Sequence, residues 1–492
     1  MSREEAMPAE ETLDPEEWES VRALGRRMID DMVDYMSTVR ERPAWRHASD
    51  EVKAHFSAPL PLDPQPPEEI YEEFLEYVLP YPLGNIHPRF WGWVLGTGTV
   101  LGALAELLAG AMNTNTGGGD HHSANHVERQ VVDWFKEMLG FPASASGLLT
   151  SGCSAANLIG LAVARNAKAG YDVRREGIRA TPHKMVLYAA QEIHSSVQKA
   201  VELLGLGSDA LRLVPVNDDF QIDLEAVKAA IARDRKDGHV PFCVVGAAGT
   251  TNTGAIDDLN ALADICQQEG LWLHVDGAFG AWAALAPDAR NLVAGMERAD
   301  SLAFDLHKWM YMPYEIGCTL VRREEDHRHA FSLTPAYLAH GEGGRGLTGG
   351  DLPWFSDYGF QLSRGFRALK AWMSLKEHGA RKYGRLIQQN VDQARYLGAL
   401  IDAAPELELA APVTLNVVCF RYVEPGLDDA ALDELNKQIL VELQEQGIAV
   451  PSGTTIRGKY VLHVAHTNHR TRREDFDVLV REVIRIGADY FR

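Results

Sequence analysis

Between Lys184 and Asp276 the chain alternates short apolar runs with amphipathic stretches, and this alternation limits the fold more than any other feature. Residues 185–189, 211–216, 242–247 and 271–275 read as strands. Residues 194–204, 224–235 and 259–268 carry apolar side chains three or four apart and read as helices. Strands joined by helical crossovers run parallel and are covered on both faces. Runs at 301–304 and 318–321 add two further strands. The expected core is therefore α/β, a mixed, mostly parallel sheet with helices on both faces.

The ends of the runs carry the chemistry. Run 271–275 stops at Asp276, and run 301–304 leads into Asp305-Leu306-His307-Lys308. Ligands of open α/β sheets bind beyond the carboxyl ends of the strands, so Asp276 and Lys308 can face one site. A lysine able to form a Schiff base and a carboxylate able to keep a pyridinium nitrogen protonated are what pyridoxal phosphate (PLP) needs. Three other features fall at the same edge. Thr150-Ser151-Gly152-Cys153-Ser154 opens a helix and offers backbone N–H groups to a phosphate. His194 opens a helix after strand 185–189 and could stack on a cofactor ring. Ala248-Gly249-Thr250-Thr251 follows strand 242–247. Taken singly, each has a plainer reading: a helix cap for Asp276 or Ser154, a solvated lysine, a surface histidine, a polar turn. Their convergence is the argument for a PLP site. No Gly-Lys-Ser/Thr follows the Gly152 loop, and the third glycine of 96–102 comes one residue late for a dinucleotide fingerprint.

The formal charge of −21 argues against nucleic acid or an anionic membrane as partner. Five scattered cysteines without Cys-x-x-Cys spacing suit reduced thiols in a cytoplasmic protein. The apolar stretch 93–112 contains Glu106 and several glycines and reads as a loop and a helix, not a membrane span. His122 and His126, with Asp120 and His121 nearby, lack the glutamate of a His-Glu-x-x-His site, and no metal is assigned.

Three regions follow from the patterning. Residues 1–85 form an N-terminal segment: an acidic tail, a helix at 15–39, a proline-rich stretch and a helix at 67–78. Residues 86–375 form the large cofactor-binding domain. Residues 376–492 form a small α+β domain, with helices near 382–403 and 428–446, strands at 413–421, 448–451 and 460–465, and a last helix from 473. A long helix beginning near Ser363 bridges the last two regions. The glycine-rich run 340–350 reads as a linker or a lid.

Trp272-Leu-His-Val-Asp-Gly-Ala278, Asp305-Leu-His-Lys-Trp309, His194-Ser-Ser-Val197 and His87-Pro-Arg-Phe90 together resemble the group II PLP-dependent amino acid decarboxylases. That family includes the aromatic-L-amino-acid, tryptophan, histidine and glutamate enzymes. The resemblance implies PLP fold type I, in a homodimer whose N-terminal segment embraces the partner, with the active site at the interface. It implies that Lys308 carries the Schiff base, Asp276 pairs with the pyridinium nitrogen and His194 stacks on the ring. Gly152, Cys153 and Ser154 would hold the phosphate, His307 would support phosphate and lysine, Ala278 would pack under the ring, and Thr251 would sit near its substituents. The implied reaction converts an L-amino acid, aromatic in the manner of tryptophan or tyrosine, to its amine and CO2.

Departures keep alternatives open. Residues 340–353 lack the tyrosine that aromatic decarboxylases carry there, as would suit an aldehyde synthase, and Tyr460-Val-Leu-His463 replaces a frequent Leu-Arg. Decarboxylation of glutamate or aspartate is a further alternative. A non-catalytic PLP-binding protein is disfavoured by the intact Lys308 and Asp276. Phe90, Trp91 and Trp93 fit either an aromatic substrate or the core.

Overall fold

The computed structural model describes residues 11–119, 121–180, 183–333 and 353–490. The expected run 340–350 and Asp120 lie outside them. Seven strands build the central sheet: β1 (Ser146–Thr150), β2 (Met185–Ala190), β3 (Leu211–Val214), β4 (Val240–Ala247), β5 (Trp272–Asp276), β6 (Ser301–Asp305) and β7 (Gly317–Val321). Their order is β1-β7-β6-β5-β4-β2-β3. Strands β3, β2, β4, β5 and β6 pair in parallel. Strand β7 lies antiparallel to both β1 and β6, so β1 points the same way as the parallel set. The carboxyl ends of β1, β2, β4, β5 and β6 thus share one edge of the sheet.

Helices cover both faces, as the alternation requires. Along β2, Val186, Tyr188 and Ala190 join one core, with the helices Leu224–Lys236 and Leu259–Glu269. Met185, Leu187 and Ala189 join the opposite core, with the helices Cys153–Lys168 and Ser195–Leu203. This is the two-residue period of a strand buried on both sides. Local signals bound the helices. Asp223 accepts from the N–H groups of Glu225 and Ala226 at 2.9 and 3.0 Å, and Asp258 accepts from that of Ala261 at 2.9 Å. Gly270, at φ 66°, turns the chain from helix Leu259–Glu269 into β5.

A second sheet follows: β8 (Leu407–Leu409), β9 (Val417–Tyr422), β10 (Ser452–Ile456) and β11 (Lys459–Ala465), antiparallel in the order β10-β11-β9-β8. The helices Ala368–Ala403, Asp429–Glu445 and Arg473–Asp489 pack on it through Leu397, Ile439 and Phe476. The strand expected at 448–451 is instead a buried connector, joined to the sheet's surroundings by one bridge between Val450 and Phe90, and the ladder begins at Ser452. Its apolar residues are buried by packing, which sequence reads as strand. The bridging helix begins at Ala368, five residues later than expected. Non-helical backbone at Gly379 (φ 70°, ψ 147°) divides it where the sequence suggests two helices.

By contacts the chain forms two compact units, Met1–Arg42 with His47–Pro82, and Pro43–Arg46 with Leu83–Arg492. Within the first, helix Trp18–Ser37 buries none of its residues, although Trp18, Val21, Ile29 and Val33 are large and apolar. Tyr71 is the anchor: its hydroxyl donates to Asp31 at 2.9 Å, and Arg27 lies over its ring. The helix expected at 67–78 runs as Pro67–Glu73 and continues as a π-turn through Phe74–Val78.

Candidate active site

A cavity of about 340 Å³ opens at the carboxyl edge of the central sheet. Gly152, Cys153, Ser154, His194, Asp276, Ala278, His307 and Lys308 all line it, so eight of the nine residues expected at the site are brought together. Thr251 is not among its lining. It lies in the turn after β4, where its carbonyl accepts a hydrogen bond from His463 Nε2 at 2.8 Å.

These residues arrive from four strand ends, those of β1, β2, β5 and β6. Asp276 closes β5. Its Oδ1 accepts from the Ala278 N–H at 3.1 Å and from the Cys153 thiol at 3.5 Å, and its Oδ2 accepts from Asn157 Nδ2 at 3.0 Å. Burial, then the charges of Asp276 and Asp305, push the Cys153 thiol well up, so it stays protonated and donates. Lys308 follows β6 by one short turn, and its Nζ lies 3.0 Å from Asp305 Oδ2. Burial opposes the charge of Lys308 most strongly, but the surrounding acidic groups, Asp305 foremost, together outweigh it and hold the amine above its ordinary range. Asp305 Oδ1 also accepts from the backbone N–H of Cys153 at 2.6 Å, tying β6 to the start of helix Cys153–Lys168.

His194 caps helix Ser195–Leu203. Its Nδ1 accepts from the Ser196 N–H at 3.2 Å and faces the Ser196 hydroxyl at 2.8 Å. Burial lowers its pKa, which keeps the ring neutral. His307 Nδ1 lies 2.9 Å from the Ile316 carbonyl, and its ring meets Tyr314, which also lines the cavity, at 4.3 Å. Burial lowers His307 as well.

Glycines let the backbones close on this site. A Cβ on Gly317 would lie 2.7 Å from Gly152 and from Asp305 Oδ1, and one on Gly96 would overlap the carbonyl oxygens of His307 and Lys308.

The donor set suits PLP. The amino end of a 16-residue helix opens on the cavity at Gly152, Cys153 and Ser154, as a phosphate requires. A primary amine, an acceptor carboxylate and a neutral imidazole complete it. Sequence reasoning missed Asn157, Ser196, Asp305 and Tyr314. Asn157 lies one turn after Cys153 and so shares its helix face. Asp305 ends β6 just as Asp276 ends β5, a signal that was available. Phe90 and Trp91 are core residues: both are buried, and Trp91 stacks on Phe476 at 4.9 Å and donates to Thr471 at 3.1 Å. Trp93 is exposed.

Residues 50–423 match the pyridoxal-dependent decarboxylase conserved domain. The chain belongs to this family. It is a PLP-dependent amino acid decarboxylase, a carboxy-lyase. It is 34% identical over 460 residues to an aromatic-L-amino-acid decarboxylase of Bacillus atrophaeus, covering 93% of each chain. It is 26% identical to a phenylacetaldehyde synthase of Petunia hybrida, covering 92% of this chain and 90% of that one. The crystal structure of Oryza sativa TDC with PLP and tryptamine superimposes with a TM-score of 0.90 at 25% identity, covering 98% of this enzyme and 100% of that chain. The mixed α/β core is accordingly that of the PLP decarboxylases.

Proposed function

We propose that the enzyme removes the carboxylate of an aromatic L-amino acid as CO2 and releases the amine. The observation that carries this reading is the meeting of Lys308, Asp276 and a helix amino terminus in one cavity, in a chain resembling the Bacillus atrophaeus enzyme along nearly its whole length. PLP, when bound, accepts the electron pair left as the bond to the carboxylate breaks. Asp276, its two oxygens held by three donors, would offer an oriented acceptor to the ring nitrogen. Lys308 would provide the amine that carries the cofactor, and Asp305, 3.0 Å away, would hold the proton of that amine when it is free. His194, neutral and fixed by Ser196, would pack against the cofactor ring. Cys153 and Ser154 present the helix amino end to the phosphate.

An aromatic substrate is favoured over glutamate or aspartate by the charge of the cavity. Among the described residues that line it, Lys308 is the one lysine or arginine, and Asp305 already neutralises it. A second substrate carboxylate would be buried without a partner. Oxidative conversion to an aldehyde is a second reading, supported by the missing tyrosine in residues 340–353.

We also infer a homodimer, built through the first compact unit, because helix Trp18–Ser37 carries an apolar face that its own unit leaves open. A cytoplasmic setting accords with five free, buried cysteines. No described helix is long and apolar enough to cross a membrane.

The test is a panel of the twenty amino acids with CO2, amine, aldehyde and peroxide measured together. CO2 and amine from tryptophan, tyrosine or phenylalanine are expected. Aldehyde with peroxide would replace this reading by the oxidative one, and CO2 from acidic substrates alone would overturn the aromatic assignment.

A further inference from the structure

Behind the cavity lies a buried polar chain of which the assignments above use only the near links, Asn157 to Asp276 and Ser196 to His194. Asn157 is its branch point. Its Nδ2 is 3.0 Å from Asp276 Oδ2 and 3.0 Å from Ser196 Oγ, and its Oδ1 is 2.9 Å from His274 Nε2. His274 Nδ1 is 2.7 Å from Ser301 Oγ, which also lies 2.8 Å from Trp272 Nε1. Asn157, His274 and Ser301 are fully buried.

The hydrogens can be placed by elimination. Asp276 is a carboxylate that can only accept, so the Asn157 amide nitrogen faces it and the amide oxygen faces His274 Nε2. His274 Nε2 then carries a hydrogen and donates to Asn157 Oδ1. The neutral ring accepts at Nδ1 from the Ser301 hydroxyl, whose oxygen accepts from Trp272 Nε1. The Asn157 amide nitrogen gives one hydrogen to Asp276. Its second hydrogen goes to Ser196 Oγ. The Ser196 hydroxyl is left to donate to His194 Nδ1, which already accepts from the Ser196 backbone N–H. His194 must then bear its proton on Nε2. Every link has one consistent direction, and no buried side-chain polar atom of Asn157, Ser196, His274 or Ser301 lacks a partner. Burial lowers His274 to about 4, in keeping with a neutral ring. The helix reaches His274 because residue 160 is glycine: a Cβ there would lie 2.7 Å from the imidazole.

We propose that Asn157 is a positioning residue that sets two cofactor-facing groups at once, orienting the Asp276 carboxylate and, through Ser196, locking His194 as the Nε2–H tautomer. The cofactor-facing roles of Asp276 and His194 are those of the proposed function, and the inference rests on that reading. One amide thus couples the group beneath the ring nitrogen to the group against the ring face. The far end, Ser301 and Trp272, holds His274 with its Nε2–H toward the amide oxygen, the arrangement that Asp276 requires of Asn157.

The test compares wild type, Asn157→Leu, Asp276→Asn and the double variant by PLP dissociation constant, with selective 15N-histidine spectra of the holoenzyme assigned through His194→Gln. Wild type that fails to bind PLP would overturn the functional reading itself. With wild type binding, Asn157→Leu is expected to weaken PLP about tenfold or more, the scale of a lost hydrogen bond to a charged group. The double variant is expected to fall short of the product of the single effects, because Asn157 acts through Asp276. Effects that simply multiply, or an unaltered affinity in Asn157→Leu, would overturn the proposal. If Asn157→Leu does not fold, Ser196→Ala removes only one hydroxyl. It is expected to change the His194 nitrogen shifts, and unchanged shifts would overturn the tautomer lock.

Discussion

Lys308 and Asp305 form an ion pair at 3.0 Å at the carboxyl end of β6, with the carboxylate almost wholly removed from solvent. The same carboxylate caps helix Cys153–Lys168 through the Cys153 N–H. Asp305→Asn keeps a capping oxygen but leaves the Lys308 charge without its partner. Breaking a buried pair from one side costs about 3–5 kcal/mol, so the cofactor-free protein should lose stability on that scale. The Lys308 pKa should fall together with it. Urea unfolding of both apoproteins measures the first effect. An unchanged midpoint would mean that the pair is solvated and does not hold the lysine.

Lys308→Ala should remove the visible absorbance of lysine-bound PLP and cut turnover by several orders of magnitude. The variant should still unfold cooperatively, at a lower urea midpoint because buried Asp305 loses its ion-pair partner. The holoenzyme spectrum decides it. An undiminished visible band would move the covalent anchor to another lysine.

Much of this site was legible because strand ends are legible. Asp276 and Lys308 each follow a short apolar run, and parallel topology sends both to one edge. Residues inside helices were not. Asn157 sits in a stretch, Cys153–Lys168, where small and apolar residues mask a polar side chain that reaches the end of β5. Asp305 was read as part of a motif, not as the partner of Lys308, because a sequence holds no distances. Strand β1 was missed for a related reason: it pairs with β7, some 170 residues later in sequence, and nothing local marks it. Phe90 and Trp91 carry the same letters whether they touch a substrate or fill a core. Only their burial against Phe476 and Val450 separates the two.

Acidification should destabilise the fold through its histidines. Burial lowers His274 to about 4 and His327, His466 and His469 to about 3, against roughly 6.5 in an unfolded chain. The unfolded state therefore binds more protons below about pH 6.5, and stability present above that pH is lost as it falls toward 4. Each such group contributes at most about 1.4 kcal/mol per pH unit. Asp257 opposes them. Raised by burial to about 6, it favours the fold at low pH and loses that contribution as pH rises from about 3.9 toward 6. Four histidines outweigh one aspartate, so the net slope is a loss on acidification. Urea midpoints at pH 7.5, 6 and 5 measure it, and His327→Gln, far from the cavity, should flatten the slope. Equal midpoints at the three values would contradict the assignment.

Gly96→Ala should be among the most damaging single-methyl additions in the chain. The new carbon would overlap two backbone carbonyl oxygens, those of His307 and Lys308, and neither has a rotamer with which to yield. Overpacking of this kind costs about 1–3 kcal/mol and displaces the backbone that carries the lysine. The expected result is lowered stability together with weakened PLP binding, read by thermal unfolding and cofactor titration. Loss of stability with normal PLP affinity would show that the Lys308 backbone does not move.

Helix Trp18–Ser37 should report the oligomeric state. Its polar side is well supplied: Arg22 pairs with Glu19, and Arg27 pairs with Asp31 and Glu72. Its large apolar residues have no such provision, since Trp18 is 63% exposed and Val21, Ile29 and Val33 are each about 40% exposed. Removing an apolar face from water contributes about 25 cal/mol per Å², so burying these four side chains against a second copy would supply several kcal/mol to association. Val21→Glu with Ile29→Glu would place two charges on that face, at positions whose burial would then be unfavourable. Sedimentation should find the wild type as a dimer and the double variant shifted toward monomer by at least tenfold in dissociation constant. The variant's intrinsic helix content should be unchanged, because glutamate is a good helix former. A double variant that dimerises as tightly as wild type would remove this helix from the interface.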